Sequence, residues 1–124
     1  MTYALGTRSR QRLSGVHPDL VAVVKRAIQI TEQDFSVLEG IRNINRQREL
    51  FKAGKSTTMN SRHLTGHAVD LAPWPISWEW EGFYPIAEAM KQAAEELDVA
   101  IVWGGDWKSF PDGPHFELDR KAYP

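Results

Sequence analysis

Apolar residues recur along this chain with two periods, and the periods predict its elements. From Pro18 to Ile30, Leu20, Val23, Val24, Ala27 and Ile28 fall on one stripe that Thr31 extends. This is an amphipathic helix with proline in its first turn and Asp19 at its positive end. A second stripe, Ile86, Ala89, Met90, Ala93, Ala94 and Leu97, predicts a long helix that starts at Tyr84 or Pro85 and covers a sheet. Phe35 to Ile41 alternates between polar and apolar residues, which predicts a strand with Arg42 just past its end. Asn45 to Ala53 reads as a helix, with Leu50 and Phe51 turned inward and Gly54 as its stop. Ala100 to Trp103 is predicted as a short buried strand, and His115 to Leu118 as the last strand. Residues 7–14 predict a short basic helical turn, residues 55–60 a polar loop, and Pro73 to Trp80 an ordered surface loop. The expected class is α+β: a small, mainly antiparallel sheet with helices packed on one face.

Composition narrows the possibilities. With 124 residues the chain is expected to form one domain, 1–124, with no room for a second that could fold alone. A formal charge of -1 with 25% charged residues argues against a nucleic-acid binder. There is no cysteine, so disulfides and thiolate ligands are excluded. The N-terminus lacks the apolar core of a secretory signal, and no run approaches the roughly 20 apolar residues of a membrane span.

The chemistry is concentrated in Ser61-Arg-His-Leu-Thr-Gly-His-Ala-Val-Asp70. Imidazole nitrogen and carboxylate oxygen are the ligand set of a catalytic zinc in a chain without thiols. A helical H-E-x-x-H reading of His63 and His67 fails, because position 64 is leucine and Gly66 disfavours a helix. A loop entering a strand fits better. His63 would then reach a metal from the loop and Asp70 from the strand, while alternation turns His67 away with Val69. His17, beside Pro18, looks like the residue that opens a helix. His115 follows Pro-Asp-Gly-Pro, so Asp112 precedes it by three residues across a turn. A carboxylate there can reach an attacking water without binding the metal, as a general base must.

Ser61-x-His63-x-x-Gly66-x-Ala68-x-Asp70 followed by Asp112-x-x-His115 resembles the LAS group of zinc peptidases. The resemblance is closest to the D-Ala-D-Ala carboxypeptidase-like branch, which includes the L-alanyl-D-glutamate endopeptidases used as bacteriophage endolysins. Glu39-Gly-Ile-Arg42, Gln47, Gly54-Lys-Ser56, Trp103-Gly-Gly-Asp-Trp107 and Pro114-His-Phe-Glu117 follow the same pattern in order. The resemblance runs from about Pro18 to the C-terminus.

It implies one zinc per chain, held by His63, Asp70 and His115 on the sheet face opposite the helices. It implies Asp112 as general base, with Asp106 as the rival carboxylate. Arg42 would stabilise charge on the scissile carbonyl oxygen. Ser61 would bind substrate or support the zinc loop. Trp107 would contact substrate at the cleft rim, where Trp74 and Trp78 are further candidates, and Trp103 would be core. The implied substrate is the peptidoglycan stem peptide, cut between L-Ala and D-Glu. The alternatives are a D,D- or L,D-carboxypeptidase and a non-catalytic zinc-stabilised binding module, the latter disfavoured by Asp112. The same reading expects a monomer with no stable membrane association. It would be held in the host cytoplasm until the inner membrane is breached. No acidic loop of the EF-hand type is present to bind calcium.

Overall fold

A computed structural model describes residues 2–56, 58–59 and 61–124. Thr57 and Asn60 of the predicted polar loop lie outside the described residues. The elements run α1 (Thr7–Arg12), α2 (Pro18–Ile30), β1 (Phe35–Glu39), α3 (Ile44–Lys52), a 3-10 turn (Arg62–Thr65), β2 (Ala68–Pro73), α4 (Trp80–Leu97), β3 (Ile101–Trp103), a second 3-10 turn (Gly104–Asp106) and β4 (His115–Leu118). The strands form one sheet in the order β1-β2-β4-β3, and every pairing is antiparallel.

One face of the sheet carries the core. Val37, Val69, Leu71, Phe116 and Leu118 are buried in a single cluster with the apolar stripes of α2 and α4. Helix α2 spans the predicted residues, and all five of its stripe positions are buried. Its N-cap is His17, whose Nδ1 accepts a hydrogen bond from the Asp19 amide at 3.1 Å. Strand alternation sends Asp70, His115 and Glu117 to the opposite face. The sheet therefore separates an apolar side from a chemical side, as the predicted class requires.

Four elements differ from expectation, each for a visible reason. Strand β1 ends at Glu39, and Ile41 is exposed. Past Val37 the register slips by a bulge, and the backbone of Gly40 to Arg42 then bonds to His63 instead of β2. Helix α3 does not bury Phe51, which is 46% exposed, and Leu50 is only partly covered. Its one buried residue is Gln47. Gly54, at φ 72, follows α3 as the predicted stop. Helix α4 begins at Trp80, a turn before Tyr84, so Pro85 lies inside it. Proline there lacks an amide donor. The extra turn is held by rings: Trp80 packs edge-on against Phe83 and Trp103, and Tyr84 packs edge-on against Trp103. At the other end Leu97 is exposed rather than in the stripe. Strand β3 starts at Ile101 and buries only Trp103, as suits an edge strand.

Candidate metal centre

His63 sits in the 3-10 turn, not in an open loop. Ser61 caps that turn by accepting the His63 amide on its Oγ at 3.2 Å. Gly66 ends the turn at φ 75, and a Cβ there would stand 2.6 Å from the Gly15 carbonyl oxygen. Only glycine fits both conditions. The Gly66 carbonyl in turn accepts the His17 amide at 2.8 Å, which ties the turn to the start of α2.

Asp70 on β2 and His115 on β4 are direct register partners on the two inner strands. With His63 they offer one ligand atom each, and these atoms lie within 4.8 Å of one another. His63 Nε2 stands 3.3 Å from Asp70 Oδ1, and His115 Nδ1 stands 3.5 Å from the same oxygen. The outward nitrogens are both engaged. His63 Nδ1 is 2.8 Å from the Gly40 carbonyl, and His115 Nε2 is 2.8 Å from Glu117 Oε1. These partners fix each ring and leave a nitrogen lone pair facing inward, the outer-shell pattern of metal-binding histidines. His63 Nε2 and Asp70 Oδ1 are buried without a hydrogen-bond partner among the described residues. Buried polar atoms rarely remain unpaired. Two imidazoles and a carboxylate converging on one point fit a metal ion and give these atoms their missing partner.

The charges respond to this crowding. Burial would raise the Asp70 carboxyl, but the His115 and His63 imidazoles outweigh it and hold the group below the usual carboxylate range. Burial opposes charge on His115, yet Asp70 and Glu117 push it up to about 9 in the metal-free protein. Asp112 is raised, first by desolvation and then by the like charge of Asp70, with His115, His63 and Arg42 pulling the other way.

Arg42 lies against the group. Its Nη2 is 3.7 Å from Asp70 Oδ2, its Nη1 donates to Gln47 Oε1 at 2.7 Å, and its Nε donates to Glu39. Asp112 lines the same cleft, a concavity of about 1140 Å³ that also includes Ser61, Trp78 and Trp107. The Trp107 ring is centred 5.0 Å from that of His115. Asp112 is held by its backbone: its amide donates to the Gly104 carbonyl at 2.9 Å, and its own carbonyl accepts the His115 amide at 3.3 Å.

Other candidates lie elsewhere. Asp106 pairs with Lys91 at 2.8 Å, and neither it nor Trp74 lines the cleft. Trp103 is buried and stacked on Phe116. His17 and His67 pack against each other, with ring centres 5.6 Å apart, and His17 also meets Tyr123. His67 Nδ1 is 2.6 Å from Thr65 Oγ1, outside the donor group.

Sequence reasoning gave no role to Gln47, Glu39 or Glu117. The alternation His115-x-Glu117 carried a signal, because residues two apart on a strand share a face. Gln47 carried none, since a glutamine on a polar helix reads as solvent-exposed.

The antiparallel sheet, the helices behind it and the donor group in front define a protein of the LAS type. A family model for phage L-alanyl-D-glutamate peptidase matches residues 1–123. The L-alanyl-D-glutamate peptidase of Escherichia phage T5 is 32% identical over 130 residues, covering 99% of this chain and 94% of the relative. The crystal structure of the Serratia marcescens L-Ala D-Glu endopeptidase ChiX is 50% identical, with a TM-score of 0.91, covering 95% of this chain and 91% of that one. A vancomycin-resistance D,D-dipeptidase shares the fold at 15% identity and a TM-score of 0.56, covering 83% of this chain and 50% of its own. The chain belongs to the phage L-alanyl-D-glutamate peptidase family.

Proposed function

We propose that this protein is a zinc-dependent endopeptidase that hydrolyses the L-Ala–D-Glu amide bond of peptidoglycan stem peptides. The observation that carries the reading is the inward-facing set of His63 Nε2, Asp70 Oδ1 and His115 Nδ1, two of them buried and unpaired, opening on a cleft that Arg42 and Asp112 share. Family membership and the similarity to named L-Ala–D-Glu peptidases support the choice of bond. A nitrogen-nitrogen-oxygen set in a thiol-free chain suits zinc, one per chain. Bound there, zinc supplies a Lewis acid that polarises the scissile carbonyl and lowers the pKa of the attacking water.

The protein groups do the rest. Asp112 accepts the proton that the water loses as its oxygen bonds to the alanyl carbonyl carbon. It returns that proton to the D-Glu nitrogen as the C–N bond breaks, leaving a carboxylate on L-Ala and an amine on D-Glu. Arg42 stabilises the negative charge that develops on the carbonyl oxygen. Glu39 and Gln47 hold its guanidinium against the centre, so little reorganisation is required. Ser61 supports the turn that carries His63, and Trp107 lines the substrate path.

The described residues contain no helix long and apolar enough to cross a membrane. The reading is completed by a monomeric single-domain enzyme that remains in the host cytoplasm until the inner membrane is breached, then degrades the wall. Digestion of purified peptidoglycan, with mass analysis of the products, tests it. New N-terminal D-Glu is the expected product. Free D-Ala would instead identify a carboxypeptidase, and no product from the zinc-loaded protein would leave a binding module.

A further inference from the structure

The cleft has two unlike walls. The candidate ligands Asp70 and His115 stand on the inner strands β2 and β4, and each edge strand leads into one wall. Beyond β1 the wall is basic and polar: Arg42, Arg46, Lys55 and Ser56 line it, with Glu39 tied to Arg42 and Glu49 3.8 Å from Arg46, while Arg120 and Lys121 past β4 also line the cleft. Beyond β3 it is aromatic, with Trp107 and Phe110 joined by Trp78 from the segment before α4.

The aromatic wall is built at a cost. Phe110 is 75% exposed and holds φ at 52, a region that side chains other than glycine occupy only under constraint. Trp78 is 63% exposed, and its ring is stacked over that of Phe83 with centres 6.3 Å apart. Solvated aromatic rings gathered at the rim of a polar cleft mark a contact surface.

The stem peptide is divided in the same way. L-Ala is joined through its nitrogen to the lactyl group of muramic acid. One amino-acid residue, about 3.5 Å of chain, and that short linker therefore separate the scissile carbonyl from a sugar ring. On the other side the γ-linked D-Glu leaves its α-carboxylate free beside the bond that breaks. One neighbour of the scissile bond is a ring with an apolar C–H face, and the other is an anion. The aromatic wall matches the first and the basic wall the second.

We propose that Phe110 and Trp78, together with Trp107, form a saccharide subsite that stacks the muramyl ring of the glycan strand. The α-carboxylate of D-Glu then faces the basic wall, and the substrate can lie in the cleft in only one direction. The subsite rests on the L-Ala–D-Glu peptidase reading and adds that the enzyme recognises the sugar as well as the peptide.

The test uses two substrates with the same L-Ala–γ-D-Glu peptide, one carrying N-acetylmuramic acid on the alanine nitrogen and the other a plain acetyl group. Terminal charge is then equal, and the ratio of the two kcat/KM values isolates the sugar. Wild-type protein loaded with zinc is expected to favour the muramyl substrate by about tenfold or more, the scale of one or two aromatic contacts. Phe110→Gly removes the ring while suiting the φ of 52, and Trp78→Ala removes its partner; each should bring the ratio towards one. Trp74→Ala, an exposed tryptophan outside the cleft, should leave the ratio as it is. Equal cleavage of both substrates by wild type would overturn the subsite and leave the peptidase reading standing. An unchanged ratio in both rim variants would do the same. Failure of wild type to cleave either substrate would instead remove the peptidase reading, and the subsite with it.

Discussion

At the scale of single residues, the decisive contrast is between Asp112 and Asp106. Both are aspartates in turns near the end of β3, but only Asp112 lines the cleft, whereas Asp106 is drawn off by Lys91. Asp112→Asn is close to isosteric, and the position is held by backbone hydrogen bonds that survive the change. The variant should keep its metal and its fold and lose turnover by about 10²–10⁴-fold, the usual worth of general acid-base help. Asp106→Asn should be near wild type. Metal content and wall-lysis rate on the two variants decide between them. Loss of metal from Asp112→Asn, or undiminished lysis, would take the base role away from Asp112.

His115 gives a pH dependence with a definite sign. Its pKa in the metal-free fold is raised from the ordinary 6.5 to about 9. The protonated ring therefore stabilises the metal-free fold fully below about 6.5, and that contribution disappears as pH rises through about 9. A metal must displace this proton, so metal affinity should climb by about one logarithmic unit per pH unit up to about 9. A chelator competition series between pH 6.5 and 9 measures it. A plateau beginning near 7 would show an unperturbed imidazole. Glu117→Gln lets the His115 proton go more easily but also frees the ring, so its effect on the metal is read above about pH 9, where no proton competes. It should weaken metal binding about 10–100-fold, as loss of an outer-shell partner typically does.

At the scale of elements, legibility followed burial. Helix α2 and strand β4 could be read residue for residue: α2 buries one continuous apolar stripe that the period records, and β4, buried on both faces, is marked off by the Pro-Asp-Gly-Pro turn before it. The start of α4 could not, because proline normally stands in a first turn, and here long-range ring contacts override it. The inward face of α3 was misread because the helix is anchored by one amide rather than by apolar side chains. Gln47 uses both ends of its side chain, towards Arg42 on one side and towards Ser56 and the Thr58 carbonyl on the other. The site was more legible than the wall around it. His63 with Asp70, and Asp112 with His115, are each close in sequence, whereas the joining of the two pairs was implied by the resemblance and is made in space by the β2–β4 pairing. Glu39, Gln47 and the aromatic rim are brought in by the fold. The same contrast sets stabilities. Leu20→Ala empties a fully buried position in α2 and should cost about 2–5 kcal/mol. Phe51→Ala on exposed α3 should stay within about 0.5 kcal/mol. Urea unfolding of the pair checks the assignment, and a large loss from Phe51→Ala would mean that α3 packs against something more than the described contacts.

At the scale of the whole molecule, the sheet isolates the metal centre from the core. The apolar cluster lies with α2 and α4 behind the strands, and the donor group stands in front of them, so the core does not need the metal to form. In a small structural zinc domain the metal replaces a core, and the chain unfolds without it. Here chelation should stop wall lysis completely while far-ultraviolet circular dichroism stays native. Removing the metal still exposes a cost, because His63 Nε2 and Asp70 Oδ1 lose their partner and Asp70 remains charged beside the cleft. A ligand held at a thousand times its dissociation constant contributes about 4 kcal/mol to the folded state. The chelated protein should therefore melt several degrees lower, in a transition that stays cooperative, and added zinc should restore both melting temperature and lysis. A chelated chain that is unfolded at room temperature would show that the front of the sheet holds the fold together. An unchanged melting temperature with full lysis would show that no metal occupies the centre.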